Sequence, residues 1–193
     1  MTFLTDFADQ AVMLPLVLAI AIALLVEGWR RGAVAWVVVV CATFGVTLGL
    51  KVLFIPCSDA FDMPTLHTPS GHVAAATVVV GGLAVLLLLG RGLGVLVALA
   101  TAALIGTTRL VLGEHTGLEV VVGAIVGLAG VAALIRLAGP RPATVDGRRV
   151  VLIAVLVAVV FHGLHMPAEA HIRGAAWRLA HFLRVCPTDQ VRL

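Results

Sequence analysis

The sequence predicts an all-α integral membrane protein: a six-helix bundle with a short amphipathic C-terminal helix. Hydrophobic residues make up 61% of the 193 residues and charged residues only 12%, too few to cover the surface of a soluble domain. The mean hydropathy is +1.14. The apolar residues form continuous runs of about 20 residues, the length that crosses a bilayer as a helix. They do not alternate with polar residues as barrel strands do.

Six apolar runs follow one another with short breaks, and each is predicted to form one spanning helix. Their bounds are 11–28, 33–55, 72–89, 92–112, 117–138 and 149–166. The first run does not read as a signal peptide, because Asp6 and Asp9 precede it and Arg30 follows in place of a cleavage site. We therefore expect one six-helix domain over residues 1–166.

The remaining residues, 167–193, are predicted to form a C-terminal amphipathic tail. Between 168 and 185, apolar residues recur at helical spacing among basic ones, and Trp177 suits an interface. We expect this helix to lie on the outer membrane surface; capping a pocket is the less favoured alternative. Cys57 and Cys186 would face the same oxidising compartment, where a disulfide between them is an open option.

The basic residues indicate membrane topology rather than a nucleic-acid surface. The chain has 13 Lys and Arg against 10 Asp and Glu, a net charge of +3, but the basic residues form no stripe or patch. Arginines concentrate in the breaks after the first, third and fifth runs, which the positive-inside rule assigns to the cytoplasm. We therefore expect a bacterial inner-membrane protein whose 52–70 loop and active site face the periplasm or exterior.

Polar side chains from four separate stretches fall at this outer end of the predicted bundle. Ser70 is predicted to cap the third helix, and Gly71 lets an anion approach the N-terminus of that helix. Lys51 and Arg109 can add charge-assisted hydrogen bonds to phosphate oxygens. Each of these residues alone is more simply an interfacial side chain. Together they indicate a phosphate-binding pocket.

Two histidines are candidates for the catalytic groups of this pocket. His115 and Glu119 are four residues apart on one helix face, so the carboxylate can fix the imidazole tautomer. His115 is then an oriented nucleophile or base, and His72 can act as the general acid for a leaving oxygen. The other histidines near the C-terminus lack acidic or cysteine partners at ligand spacing, and we interpret them as interfacial rather than metal-binding. They are His162, His165, His171 and His181.

These motifs resemble the type 2 phosphatidic acid phosphatase superfamily, the lipid phosphate phosphatases related to vanadium haloperoxidases. That family's signature has three blocks: Lys-x6-Arg-Pro, Pro-Ser-Gly-His and Ser-Arg-x5-His-x3-Asp. The second block is complete at residues 69–72, and the third reads Thr108-Arg109-x5-His115-x3-Glu119 with its spacing kept. The first block departs from the pattern, because Lys51 is followed seven residues later by Ser58 instead of arginine. The resemblance covers about residues 45–135.

The resemblance implies a mechanism and a substrate class. His115 would attack phosphorus and form a phosphohistidine, Glu119 would orient it, and His72 would protonate the departing oxygen. The phosphoryl oxygens would be held, without a metal ion or other cofactor, by Lys51, Ser70, Gly71 and Arg109. The substrate would be a lipid phosphate or diphosphate at the outer membrane face. Candidates are phosphatidic acid, phosphatidylglycerol phosphate, a polyprenyl pyrophosphate and a lipid A phosphate.

Two alternatives stay open at this point. Because the arginine of the first block is missing, the chain could be a non-catalytic relative that binds or transports lipid headgroups. A lipid phosphotransferase would share the first half-reaction with the hydrolase, and would differ only in the acceptor that attacks the phosphohistidine.

Overall fold

The computed structural model describes residues 6–58, 66, 68–87 and 91–186. Within these residues the chain is all-α, with seven helices and no strand. The helices are α1 (Gln10–Val26), α2 (Arg30–Cys57), α3 (Gly71–Leu87), α4 (Arg91–Val111), α5 (Gly117–Leu137), α6 (Gly147–Phe161) and α7 (Ala168–Leu183). A single π-helical turn, Thr77–Gly81, interrupts α3.

Short polar side chains determine where several helices begin. Asp9 caps α1 by accepting a hydrogen bond from the backbone N–H of Ala11 at 2.8 Å, and Asp146 caps α6 in the same way through Arg148 at 3.0 Å. Gly28 lies between α1 and α2 with a φ of +82°, a conformation that favours glycine and lets the chain reverse direction.

The predicted apolar runs coincide with α1 to α6, with one error at the end of the sixth run. Of the helices described above, α2, α4 and α5 are long and apolar enough to cross a membrane, and α1 and α3 are shorter apolar helices. The sixth run was predicted to reach residue 166, but α6 ends at Phe161. The backbone leaves the helix at His162, and Gly163 adopts a φ of +82°. With 15 residues, α6 is about 22 Å long. These helices indicate membrane insertion, and the number of spans stays a prediction.

The helices pack closely around a shared core, and small residues allow some of these close contacts. Helix α1 packs against α2 and α6, α2 also contacts α3, α5 and α7, and the helices α3, α4 and α5 contact one another. Trp36 is fully buried, and its indole N–H donates to the carbonyl of Val17 at 3.0 Å. Gly82 allows the contact between α3 and α5, because a Cβ there would lie 2.6 Å from Leu134 Cδ1.

The C-terminal helix α7 is fastened to the bundle at both ends. Helix α7 packs against α2, and a disulfide joins Cys57, at the end of α2, to Cys186, with their Cα atoms 5.4 Å apart. At the other end of the helix, Glu169 forms an ion pair with Lys51 of α2. The less favoured interpretation of the tail, a cap on a pocket, therefore describes its packing better than a separate surface anchor does.

Candidate active site

The turn that begins α3 is held by close contact with α5. Ser70 is completely buried; its backbone N–H donates to the carbonyl of Glu119 at 3.0 Å, and its side chain caps α3 by accepting from the N–H of Val73 at 3.5 Å. On α5, Gly123 permits this approach, because a Cβ there would lie 2.5 Å from the carbonyl oxygen of Ser70. The first N–H groups of α3 are thereby fixed in an orientation that favours an anion.

His115 and Glu119 form a buried pair at the start of α5. The Nδ1 atom of His115 lies 3.0 Å from Oε2 of Glu119. The same carboxylate accepts the backbone N–H of Thr116 at 3.0 Å and that of Thr68 at 2.7 Å, so its position is fixed from three directions. A carboxylate on Nδ1 favours the tautomer that leaves the Nε2 lone pair available.

Burial determines the charge of His115. The pKa of His115 is lowered from its ordinary value, because desolvation of the ring outweighs the hydrogen bond and the negative charge of Glu119, which act in the opposite direction. The nearby cations Arg109 and Lys51 lower the pKa of His115 further. The imidazole is therefore neutral at pH 7, the form in which it can act as a nucleophile or base.

Lys51 lies beside the N-terminus of α3 and is paired. Only 4% of the residue is exposed, and a Cβ built on Gly71 would lie 3.7 Å from the Nζ atom of Lys51. Nζ donates to Oε2 of Glu169, and Oε1 of the same carboxylate accepts from the hydroxyl of Thr68 at 3.2 Å. Burial would raise the pKa of Glu169, but the charge and hydrogen bond of Lys51 outweigh burial and lower it. Glu169 is therefore ionised at neutral pH.

Arg109 and His72 complete the predicted phosphate site. Arg109 has one side-chain contact to an exposed carboxylate, Nη2 to Oε2 of Glu114 at 3.6 Å. Its buried Nε is a donor with no hydrogen-bond partner within the part of the chain that the structure describes. His72 lies in the first turn of α3, directly after Gly71.

The seven site residues predicted from the sequence thus lie at the same end of the helices. This placement agrees with the alternating directions of successive helices. The position where the family pattern has arginine is occupied by Ser58, a buried residue that ends α2 with its N–H bonded to the carbonyl of Phe54 at 3.0 Å. His67, which precedes α3 in the sequence, lies outside the described residues. Among residues 6–58, 66, 68–87 and 91–186, no three His, Cys, Asp or Glu form a group that could hold a metal ion.

Sequence reasoning missed two features of the site. Thr116 and Glu119 form a capping box, in which the Thr116 hydroxyl accepts from the N–H of Glu119 at 3.3 Å. The spacing Thr-x-x-Glu before an apolar run is a recognisable signal for it. Glu169 at Lys51 had no such signal, because 118 residues separate the two in the chain.

An apolar cavity of about 550 Å³ opens next to Lys51 and Gly71, between α1, α2 and α7. Its walls combine apolar side chains of the bundle, including Leu14, Phe44 and Leu48, with Ala168 and Ile172 of α7. The lining is mostly apolar and includes Lys51, so the cavity combines apolar walls with one basic side chain.

Comparison with protein families matches residues 51–143 to the model of the PAP2 superfamily. This part of the chain belongs to the PAP2 superfamily. The matched PAP2 segment contains the predicted site residues from Lys51 to Glu119 and ends before α6 and α7. Membership supports a hydrolase that acts on phosphate esters. Neither a curated protein nor a solved structure matches the chain.

Proposed function

We propose that this PAP2 protein is a membrane-embedded phosphatase that hydrolyses a lipid phosphate or diphosphate through a phosphohistidine at His115. The observation that carries the proposal is the buried contact of 3.0 Å between Nδ1 of His115 and Oε2 of Glu119. It lies at the same end of the bundle as the N-terminus of α3 and two cations. An oriented neutral imidazole beside an anion site is the arrangement that nucleophilic phosphoryl transfer needs.

In the first half-reaction, Nε2 of His115 attacks phosphorus and the bond from phosphorus to the leaving oxygen breaks. Glu119 stabilises the positive charge that develops on the ring by accepting the hydrogen bond from Nδ1. His72 donates a proton to the departing oxygen, which leaves as an alcohol or, from a diphosphate, as a lipid monophosphate. The phosphoryl group stays on His115 as a phosphohistidine.

In the second half-reaction, water attacks phosphorus, His72 takes up a proton from it, and the phosphorus–nitrogen bond breaks to release inorganic phosphate. Charge collects on the equatorial oxygens in both transition states. Lys51, Arg109 and the backbone N–H groups at Gly71 and His72 would stabilise that charge. The buried Nε of Arg109 supports this role, since it has no other partner among the described side chains and backbone.

The apolar cavity favours a lipid as the substrate. It meets the charged site at Lys51 and Gly71, so a hydrocarbon chain in the cavity would leave its phosphate next to both. The apolar helices α2, α4 and α5 favour a membrane location, where such substrates are found. The arginine-rich breaks of the chain support a site at the periplasmic or outer face.

A non-catalytic headgroup-binding protein of the same fold is the second candidate. Two observations favour it: Ser58 stands where the family pattern has arginine, and the carboxylate of Glu169 is bonded to Lys51. Both reduce the positive charge available to a phosphate.

Release of inorganic phosphate by the purified protein separates the two candidates. The assay uses a maltoside detergent, contains EDTA, and compares phosphatidic acid, phosphatidylglycerol phosphate, a polyprenyl pyrophosphate and a lipid A phosphate. We expect release from at least one lipid, and its loss in His115→Ala. His181→Ala is the matched control, because His181 is an exposed histidine on α7 that the proposed site does not include. A folded protein that binds these lipids and releases no phosphate would favour the binding role.

A further inference from the structure

Glu169 is bonded at the proposed phosphate site. Its two carboxylate oxygens are bonded to two different donors, Oε2 to Nζ of Lys51 and Oε1 to the hydroxyl of Thr68. A phosphate monoester held at the start of α3 would present oxygens to the same groups. The carboxylate is therefore a substitute for the anion that the site is built to bind.

The electrostatic surroundings of Glu169 support the same interpretation. Its charge interacts with Arg109 and with His115 as well as with Lys51. These are the cationic and nucleophilic side chains of the proposed phosphate site. Glu169 thus lies within the field of the whole site rather than at its edge, and its side chain remains 46% exposed. A half-exposed carboxylate can move into solvent, whereas Lys51, with 5% of its side chain exposed, cannot.

Helix α7 carries Glu169 and also covers the apolar cavity. Ala168, His171 and Ile172 line that cavity together with residues of α1 and α2. The disulfide between Cys57 and Cys186 holds the other end of α7 against the end of α2. The helix can therefore release Lys51 and uncover the cavity while it stays attached to the bundle. Such attachment keeps the local concentration of the carboxylate high.

We infer that Glu169 is an intramolecular competitor for the phosphate site, so that α7 is an autoinhibitory latch which the substrate must displace. Displacement moves the carboxylate into water and gives Lys51 and Thr68 to the phosphoryl oxygens. This inference rests on the proposed anion site at Lys51, and it does not require that the bound phosphate be hydrolysed. Helix α7 lies outside the segment that matches the PAP2 superfamily, so the latch is an addition to that segment.

Inorganic phosphate is the probe that tests the latch. Its dissociation constant is measured by isothermal titration calorimetry in a maltoside detergent for the parent protein, Glu169→Gln and Asp6→Asn. We expect Glu169→Gln to bind phosphate about tenfold more tightly, because one charge-assisted contact no longer has to be broken. Asp6→Asn is the matched control. It removes a carboxylate that is bonded to His165 at 3.1 Å rather than to Lys51, and we expect it to leave the dissociation constant for phosphate unchanged.

A double-mutant cycle assigns the effect to Lys51. Lys51→Met should weaken phosphate binding, and adding Glu169→Gln to it should give a smaller gain than in the parent, because the competitor then keeps only Thr68 and the charge of Arg109. Glu169→Asp is the second variant in case the glutamine disturbs α7. It keeps a negative charge in the first turn of the helix but shortens the reach to Lys51, so a smaller gain is expected. Mass spectrometry of alkylated protein shows in each variant whether the disulfide has formed.

Unchanged or weaker phosphate binding in both Glu169 variants would overturn the inference, since it would mean that the carboxylate positions the site rather than blocks it. A gain of the same size in the Lys51→Met background would also overturn it. The proposed function can fail while the latch is supported. In that outcome Glu169→Gln shows the gain in phosphate binding, but neither it nor the parent releases phosphate from any of the lipids. If hydrolysis does occur, Glu169→Gln should raise kcat/KM for the hydrolysed lipid by about the same factor as phosphate affinity.

Discussion

Glu119 holds His115 with the same carboxylate oxygen that caps helix α5. Its Oε2 lies 3.0 Å from Nδ1 of His115 and accepts the backbone N–H of Thr116 at 3.0 Å, while Oε1 accepts the N–H of Thr68. The orientation of the proposed nucleophile is thus tied to the start of a helix and to the segment that precedes α3. Rigid elements of this kind hold a reacting group more precisely than a free loop can.

Substitutions of Glu119 should separate catalysis from stability. Glu119→Gln and Glu119→Ala should both lower kcat by about 10²- to 10⁴-fold, because neither supplies the charge that stabilises the imidazolium. Glutamine still offers one acceptor oxygen to the helix start, whereas alanine offers none and should cost about 1 kcal/mol more stability. Phosphate release and thermal unfolding of the same preparations measure the two effects. Turnover retained in Glu119→Ala would contradict the role of Glu119.

The activity should follow the protonation of His115 on the acid side. Burial lowers the pKa of His115, so the ring stays neutral, and therefore nucleophilic, below the ordinary histidine value of about 6.5. We expect kcat/KM to fall as the pH decreases through this lowered pKa. Glu119 raises the pKa of His115 against the effect of burial. The remaining acid limb of Glu119→Gln should therefore move to lower pH, and a shift to higher pH would contradict the assignment.

Gly123 should be essential to the site although it carries no functional group. A Cβ at this position would lie 2.5 Å from the carbonyl oxygen of Ser70, so Gly123→Ala must push the start of α3 away from α5. We expect a loss of about 1–3 kcal/mol in stability and a clear fall in phosphate binding, measured by denaturation and calorimetry. Gly49→Ala is the control, since a Cβ there meets nothing within 4 Å. Equal behaviour of the two variants would contradict the close contact.

The sequence was sufficient to predict the helices, because each apolar run is long and its breaks carry charge or glycine. The runs coincide with α1 to α6 within a few residues, except at His162, where a local turn with Gly163 ends α6 early. Periodicity and hydropathy cannot detect such a turn inside an apolar stretch. The length requirement for a membrane span therefore overestimated the last helix.

Within the site, the sequence indicated the contacts made at short range and missed those made at long range. His115 and Glu119 are four residues apart, so helical geometry alone predicts their contact. The ion pair of Lys51 with Glu169 depends on how α7 packs on α2, and no local pattern encodes that packing. The disulfide of Cys57 with Cys186 was recognised as an option because both cysteines fell on one side of the predicted bundle, and the structure contains it.

The disulfide should control the mobility of α7 alone. Its loss in Cys186→Ser frees one end of the helix, which is then retained only by its packing on α2 and by the ion pair of Glu169 with Lys51. Hydrogen exchange in residues 168–183 should accelerate by about tenfold to hundredfold, while α2, α4 and α5 keep the protection of the parent protein. Mass spectrometry of the exchanged protein resolves these segments. Cys41→Ser is the control, because Cys41 is a free, exposed cysteine. Exchange in 168–183 that stays at the rate of the parent would show that packing on α2, and not the disulfide, holds the helix in place.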